Sequence, residues 1–169
     1  MRNTSFSEIG NVLIVIENNI TIESVSIINS SSDTTFLDLT DSSFTMKDTN
    51  ISNGKSQKGG AIRIKKNLNE SLPITILNCR FVNNTATLSG GAIYMEGLGI
   101  TITISNCTFV NNIAKEAGPN IYQLTTALSD EVLVLMFDNL DNLSNFITIN
   151  NKLLKEELSL TYVETNLSL

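Results

Sequence analysis

The sequence predicts an all-β fold, a parallel β-solenoid of about five to six coils. Three observations carry that expectation. The segment NCRFVNNTATLSGGAIY (Asn78 to Tyr94) returns nearly unchanged 28 residues later as NCTFVNNIAKEAGPNIY (Asn106 to Tyr122). A self-similar period of this length marks stacked units rather than a globule around one central core. Between the copies, Ile100-Thr101-Ile102-Thr103-Ile104 alternates at the spacing of two that belongs to strands, not the 3.6 of helices. Finally, β-branched residues, Ser, Thr and Asn dominate, with nine Gly and only two Pro, a composition of strands joined by tight turns.

Reading outward from the two best copies, Cys79 aligns with Cys107, Phe81 with Phe109, Asn84 with Asn112 and Ala86 with Ala114. Upstream, Met46 to Ile64 fits the same pattern. Ile51 takes the Phe81 place, Asn53 the Asn83 place, and Gly59-Gly60-Ala61-Ile62 that of Gly90-Gly91-Ala92-Ile93. Thr21 to Ser30 matches Thr75 to Asn84, which puts Ile27 in the Phe81 column, and Phe6 marks an earlier coil. The column Phe6, Ile27, Ile51, Phe81, Phe109 therefore steps by 21, 24, 30 and 28 residues. Strands that keep register while their loops vary in length are a solenoid property.

Each coil is expected to hold three short strands. One is the Ile-Thr-Ile type (Phe44 to Met46, Ile74 to Ile76, Ile102 to Ile104). The second is the Cys-x-Phe type (Val25 to Ile27, Cys79 to Phe81, Cys107 to Phe109). The third follows the glycines (Leu37 to Leu39, Ile62 to Ile64, Ile93 to Met95, and Ile121 onward). Coils about 4.8 Å apart, each pairing in parallel with its neighbours, would make a rod roughly 30 Å long. Ile62, Ile93 and Ile121 are expected to point inward with Ile64 and Met95, and Phe81 to lie over Phe109. Asp38, Arg63, Tyr94 and Tyr122 alternate with these as one outward column. Within it Asp38–Arg63 reads as an ion pair and Arg63–Tyr94 as a cation–π contact.

Asn53, Asn83, Asn84, Asn111 and Asn112, with Asn29 above, mark the turn after the second strand. Asn tolerates left-handed backbone, and stacked amides bond one another as a ladder. Gly59-Gly60 and Gly90-Gly91 are expected where the chain turns with no room for a Cβ. Gly118-Pro119 breaks that pattern, so the regular stack is expected to weaken there. Cys79 and Cys107 share a column in adjacent coils. They read as inward, inert thiols; a disulfide suits the coil separation, although parallel Cβ vectors disfavour its geometry, and a two-Cys metal site has least support.

The chain reads as one domain, 1–169, best defined over 20–124. Beyond Ala127 the pattern blurs. Val132 to Phe137 and Phe146 to Ile149 read as strands of degenerate coils, and Asn151 to Leu158 as strand or short helix. The closing Leu158 to Val163 is strand-like and lacks the polar cap that solenoids need, so 125–169 reads as degenerate coils cut short. The longest apolar runs, Val12 to Ile16 and Val132 to Phe137, are five and six residues, far from a transmembrane helix. Asn3-Thr4-Ser5 follows Met1-Arg2 where a signal peptide would be apolar. A secreted protein is therefore expected to be longer than this chain; a complete cytosolic protein is the competing reading.

Several chemistries are excluded. The chain has no His, which removes Ser-His-Asp and Cys-His catalysis and most zinc sites. Eleven Lys and Arg lie scattered among 17 Asp and Glu, for a net charge of −6, so no basic cluster invites nucleic acid or anionic membrane. The Gly-Gly pairs lack phosphate-loop spacing and lead into strands. Asp38, Asp41 and Asp48 fall on different strands or turns, and Asp138-Asn139-Leu140-Asp141-Asn142 lacks the spacing and glycine of a calcium loop. Nine N-x-S/T sequons (Asn3, Asn19, Asn29, Asn50, Asn69, Asn83, Asn106, Asn142, Asn166) would suit a glycosylated surface protein, though Asn-rich chains carry several by chance. A glycan on Asn83 would be awkward if that residue belongs to the amide ladder.

Phe-x-x-Asn at Phe81/Asn84 and Phe109/Asn112, with Gly-Gly-Ala-Ile at 59–62 and 90–93, resembles the repeat of the chlamydial polymorphic outer membrane proteins, a pairing also found in surface proteins of protists. The resemblance is fullest over 46–122, extends to about 20 and fades beyond 125. Ile51-Ser52-Asn53-Gly54 departs from it, lacking the Phe and the final Asn, and no membrane-anchoring barrel is visible. The resemblance implies a right-handed, pectin-lyase-like parallel β-helix, exposed on a cell surface and implicated in adhesion, with no catalytic residue to carry over. The expected function is thus a non-catalytic extracellular or cell-surface module, adhesin-like or a structural spacer. Its outer strand faces would contact a protein or glycan ligand, with no nucleic acid partner, no membrane insertion within this chain and no cofactor or metal. The alternatives are a fragment of a polysaccharide lyase or glycoside hydrolase of the pectin-lyase-like fold, its active residues lying outside this chain, and a degenerate fragment with no independent role.

Overall fold

The computed structural model describes residues 19–28, 35–67, 73–97 and 100–124 in full, and the backbone of 4–7, 13–16, 135–138, 147–149 and 152–153. The described residues form strands and turns, arranged as four stacks of parallel strands, and they contain no helix. The Phe sheet holds β1 (Thr4–Ser7), β4 (Val25–Ile28), β7 (Asn50–Ser52), β11 (Arg80–Val82) and β15 (Thr108–Val110). The Ile-Thr-Ile sheet holds β3 (Asn19–Glu23), β6 (Ser43–Lys47), β10 (Pro73–Leu77), β14 (Thr101–Ser105) and β18 (Leu135–Asp138). The post-glycine sheet runs through β2 (Leu13–Ile16), β5 (Leu37–Thr40), β9 (Ile62–Lys66), β13 (Ile93–Gly97), β17 (Ile121–Leu124), β19 (Ile147–Ile149) and β20 (Lys152–Leu153). A corner sheet stacks β8 (Lys55–Lys58), β12 (Thr85–Ser89) and β16 (Ile113–Ala114).

The chain winds from the Ile-Thr-Ile sheet to the Phe sheet, past the corner sheet, to the post-glycine sheet and back. This is a parallel β-solenoid, about three turns of which are described in full. The column read from the sequence is the observed register: Phe6 pairs with Ile27, Ile27 with Ile51, Ile51 with Phe81 and Phe81 with Phe109. The expectation of three strands per coil needs correction, since the later windings carry a fourth on the corner sheet. That strand explains the longer steps of 30 and 28 residues after Ile51. Only β19 and β20 pair antiparallel among the described strands. Lys152 and Leu153 are strand, and the rest of Asn151 to Leu158 lies outside the described residues.

One apolar filling runs along the axis. Phe44, Ile74 and Ile102 stack in one inward row and Ile22, Met46, Ile76 and Ile104 in the next. Leu37, Ile62, Ile93 and Ile121 face them from the post-glycine sheet, followed by Leu39, Ile64 and Met95. Each such side chain contributes about 1.5–3 kcal/mol on full burial. The row after Met95 turns polar: Gln123 stands in register with it, buried.

The glycine corner shows why the third winding differs. Gly90 adopts φ 70°, a left-handed geometry costly for other residues. A Cβ on Gly91 would lie 2.0 Å from the Pro119 carbonyl oxygen. Along this column each N–H donates to the next winding, Gly60 to the Gly90 carbonyl at 3.1 Å and Gly91 to that of Gly118 at 3.0 Å. Pro119 takes the Gly91 place without an N–H, so the column's donation stops there. Among the described residues the corner sheet ends at β16, where Ile113 is 59% exposed.

Candidate interaction surface

The Phe-x-x-Asn motif has a concrete meaning in this stack. After Phe81 the chain leaves the Phe sheet through Asn83, at a left-handed φ of 55°, which turns Asn84 into the interior. Asn84 Nδ2 donates to the Ile51 carbonyl at 3.1 Å and to Asn112 Oδ1 at 3.0 Å, while its Oδ1 accepts from the Gly54 N–H at 3.0 Å. One winding on, Asn112 Nδ2 donates to the Phe81 carbonyl and to Asn120 Oδ1, both at 3.1 Å. Asn112 Oδ1 also accepts the Asn84 N–H at 3.0 Å. All amide hydrogens and both oxygens are paired, which is what makes two amides tolerable in an apolar interior.

The predicted ladder residues therefore divide by face. Asn84 and Asn112 build the ladder; Asn53, Asn83 and Asn111 share left-handed φ values of 60°, 55° and 53° and turn the corner outside it. Gly54 stands where Asn84 would in the earlier winding and starts the ladder with its N–H. Asn29 lies outside the described residues. A second ladder, not predicted from the sequence, lies at another corner. Asn106 Nδ2 donates to Asn78 Oδ1 at 2.9 Å, and Asn78 Nδ2 to Asp48 Oδ1 at 3.0 Å, all three exposed. Ser24, Asp48, Asn78 and Asn106 are the left-handed residues of that corner. The signal was present in the aligned Asn-Cys pairs at 78–79 and 106–107.

Cys79 and Cys107 follow this corner as buried free thiols, not joined as a disulfide. Their sulfurs donate to the carbonyls of Leu77 at 3.0 Å and Ser105 at 3.2 Å, and the Cys79 N–H reaches Cys107 Sγ at 3.3 Å. The hydrogen bond with Cys107, and then burial, push the Cys79 thiol up from its ordinary value. Beside them the Phe81 and Phe109 rings stack with centroids 4.7 Å apart and planes 16° from parallel.

Asp38, Arg63, Tyr94 and Tyr122 do share one register column on the post-glycine sheet. Arg63 Nε donates to Asp38 Oδ1 at 2.9 Å, and Nη2 to Oδ2. The expected Arg63–Tyr94 cation–π contact is replaced, because the guanidinium is turned to its carboxylate. The cation over Tyr94 is Lys58 from the corner sheet, 4.7 Å from the ring centroid, with Nζ donating to the Tyr94 hydroxyl at 3.0 Å. That hydroxyl donates to Glu96 at 3.2 Å. Burial, then the Glu96 charge and its hydrogen bond, push the Tyr94 hydroxyl up from its ordinary value. Tyr94 and Tyr122 stack at 5.6 Å but are only 1% and 5% exposed, so their ring faces offer no open platform.

Asp38, Asp41 and Asp48 are each held separately. Asp38 is bound by Arg63, Asp48 by Asn78, and Asp41 by the Asn67 N–H at 2.7 Å and Nδ2 at 3.1 Å. Among the described residues no group of three or more His, Cys, Asp or Glu is placed to hold a metal ion. Of Asp138 to Asn142 only the Asp138 backbone is described. A different outer row emerges on the Ile-Thr-Ile sheet. Thr21, Thr45, Thr75 and Thr103 pair in register on four successive strands, exposed to half-buried. Strand spacing puts these side chains about 4.8 Å apart, and β-branching limits each to few rotamers. The row is uncharged, rigid and repetitive. In the sequence the row is masked by the large inward apolar residues that flank each Thr.

A stack of parallel windings, each tied to the next by one repeated motif, defines a β-solenoid repeat protein. Residues 78–96, from the exposed Asn corner through Asn84 to the glycine corner and β13, match the family model of the Chlamydia polymorphic membrane protein repeat. No curated protein and no solved structure matches the chain. Among the described residues no helix is long and apolar enough to cross a membrane.

Proposed function

We propose that this chain is a non-catalytic, surface-displayed module of a longer protein, acting as an adhesin-like rod that meets a protein or glycan ligand with its outer strand faces. The observation that carries the reading is the match of residues 78–96 to a membrane-protein repeat whose motif residues serve to stack windings. Inward positions build the rod, and outward positions are left for recognition. The Thr21–Thr45–Thr75–Thr103 row supplies a flat contact face whose side chains lose little rotamer freedom on binding. Antibodies against the folded chain should label intact cells that make the parent protein, and external protease should remove the label. Labelling only after permeabilisation would contradict surface display.

A further inference from the structure

We propose that Asn83 is an N-glycosylation site and that the fold selects it over the neighbouring sequon at Asn50. The proposal rests on the surface-display reading, since the modification requires passage through a secretory pathway. Four sequons have described side chains: Asn19, Asn50, Asn83 and Asn106. Their amides differ in what they already do. Asn50 lies within β7 with Oδ1 buried and unbonded, so a sugar on its Nδ2 would have to emerge from a packed strand. Asn106 has its Nδ2 engaged with Asn78 Oδ1 at 2.9 Å. Asn19 lies in β3 and accepts a hydrogen bond from the Ser43 hydroxyl.

Asn83 is the odd one out. It occupies the apex of the corner between β11 and β12, exposed, at φ 55°. Its backbone N–H donates to the Val110 carbonyl at 2.9 Å, which fixes the corner, while its side-chain amide makes no hydrogen bond among the described residues. The ladder that a glycan would disturb belongs to its neighbour Asn84, which points the other way. Thr85 completes the sequon from β12 with a half-buried side chain.

The co-reactant is a lipid-pyrophosphate-linked oligosaccharide. Asn83 Nδ2 forms a bond to the anomeric carbon of the first sugar, the carbon–oxygen bond to the pyrophosphate breaks, and Nδ2 loses one proton. The sugar would then stand off the corner where the Phe and corner sheets meet, away from the Thr row on the Ile-Thr-Ile sheet.

The test is to express the whole chain behind a cleavable secretion leader in eukaryotic cells. The secreted fraction is deglycosylated with an amidase in heavy-oxygen water, which marks each formerly modified Asn as labelled Asp for peptide mapping. Asn83 should carry the mark several-fold more often than Asn50. Asn83→Asp, which tolerates the left-handed corner, and Thr85→Val, which keeps the branched strand residue, should each abolish modification at 83. A bare Asn83, or Asn50 marked as heavily, overturns the proposal. Forced entry separates the two failures: an unmarked Asn83 in secreted chain sinks the site alone, whereas a parent protein found inside cells sinks the display reading alone.

Discussion

Two asparagine ladders run along this rod, built from the same amide group, and they do different work. The inner one, Asn84 to Asn112, is buried and fully paired, and it ties the ends of Phe-sheet strands to the following winding. The outer one, Asp48 to Asn78 to Asn106, lies in solvent at left-handed corners. Water can replace every bond of the outer ladder and few of the inner. Position across the backbone, not residue type, therefore sets the energetic weight of each amide.

Replacing Asn84 breaks the comparison hardest. Asn84→Ala orphans the Gly54 N–H and takes the side-chain donor from the Ile51 carbonyl and from Asn112 Oδ1, which keeps the Asn84 N–H. With about 1–3 kcal/mol for the orphaned buried donor and about 1 kcal/mol for each further bond given up, the loss should be about 3 kcal/mol, read from urea unfolding. A loss below about 1 kcal/mol would mean the inner ladder is as dispensable as an exposed one. Asn112→Ala should cost less, about 2 kcal/mol, because one of its partners, Asn120, is only half-buried and can turn to water.

On the outer ladder the backbone should matter more than the amide. Asn78→Ala keeps the Cβ at φ 53° but loses the short polar side chain that lets Asn adopt that backbone, worth roughly 1–2 kcal/mol. Asn78→Gly gives up the same two side-chain bonds but relieves the strain, and should unfold within about 0.5 kcal/mol of the natural protein. Smallest of all, Asp48→Asn keeps an oxygen to accept the Asn78 amide and should leave the unfolding midpoint unchanged. A separate check uses pH. Because the Tyr94 hydroxyl is pushed up in the folded state, its neutral form favours folding. That contribution is complete below the ordinary tyrosine value of 10.0 and is lost as pH rises beyond it. Absorbance titration should find Tyr94 ionising later than in the unfolded chain, and Tyr94→Phe should flatten the alkaline loss of stability.

The register of the rod was legible because repeat alignment lays one winding on the next: Ile27, Ile51, Phe81 and Phe109 fall in one column on both readings. The face of Asn84 was not, because in Asn83-Asn84 a left-handed corner separates two identical residues and one step along the chain exchanges outside for inside. The corner sheet was not legible for another reason. Thr85–Ser89 has no alternation of large apolar residues, and its inward column is Ser56, Ala86 and Ala114, small enough to read as loop. Lys58 over Tyr94 was hidden because the two lie 36 residues apart on different sheets, brought together only by the corner. In 125–169, where the sequence pattern blurs, the structure describes only the backbone of β18, β19 and β20.

The most direct test of the stacked architecture is the distance between nitroxide labels placed at Thr45 and Thr103, two windings apart in one outer row. Register pairing at the spacing of adjacent strands predicts backbones roughly 10 Å apart, with strong dipolar broadening of the electron spin resonance spectrum that unfolding in urea removes. A spectrum equal to the sum of the two singly labelled chains would place those residues on unstacked segments and contradict the solenoid.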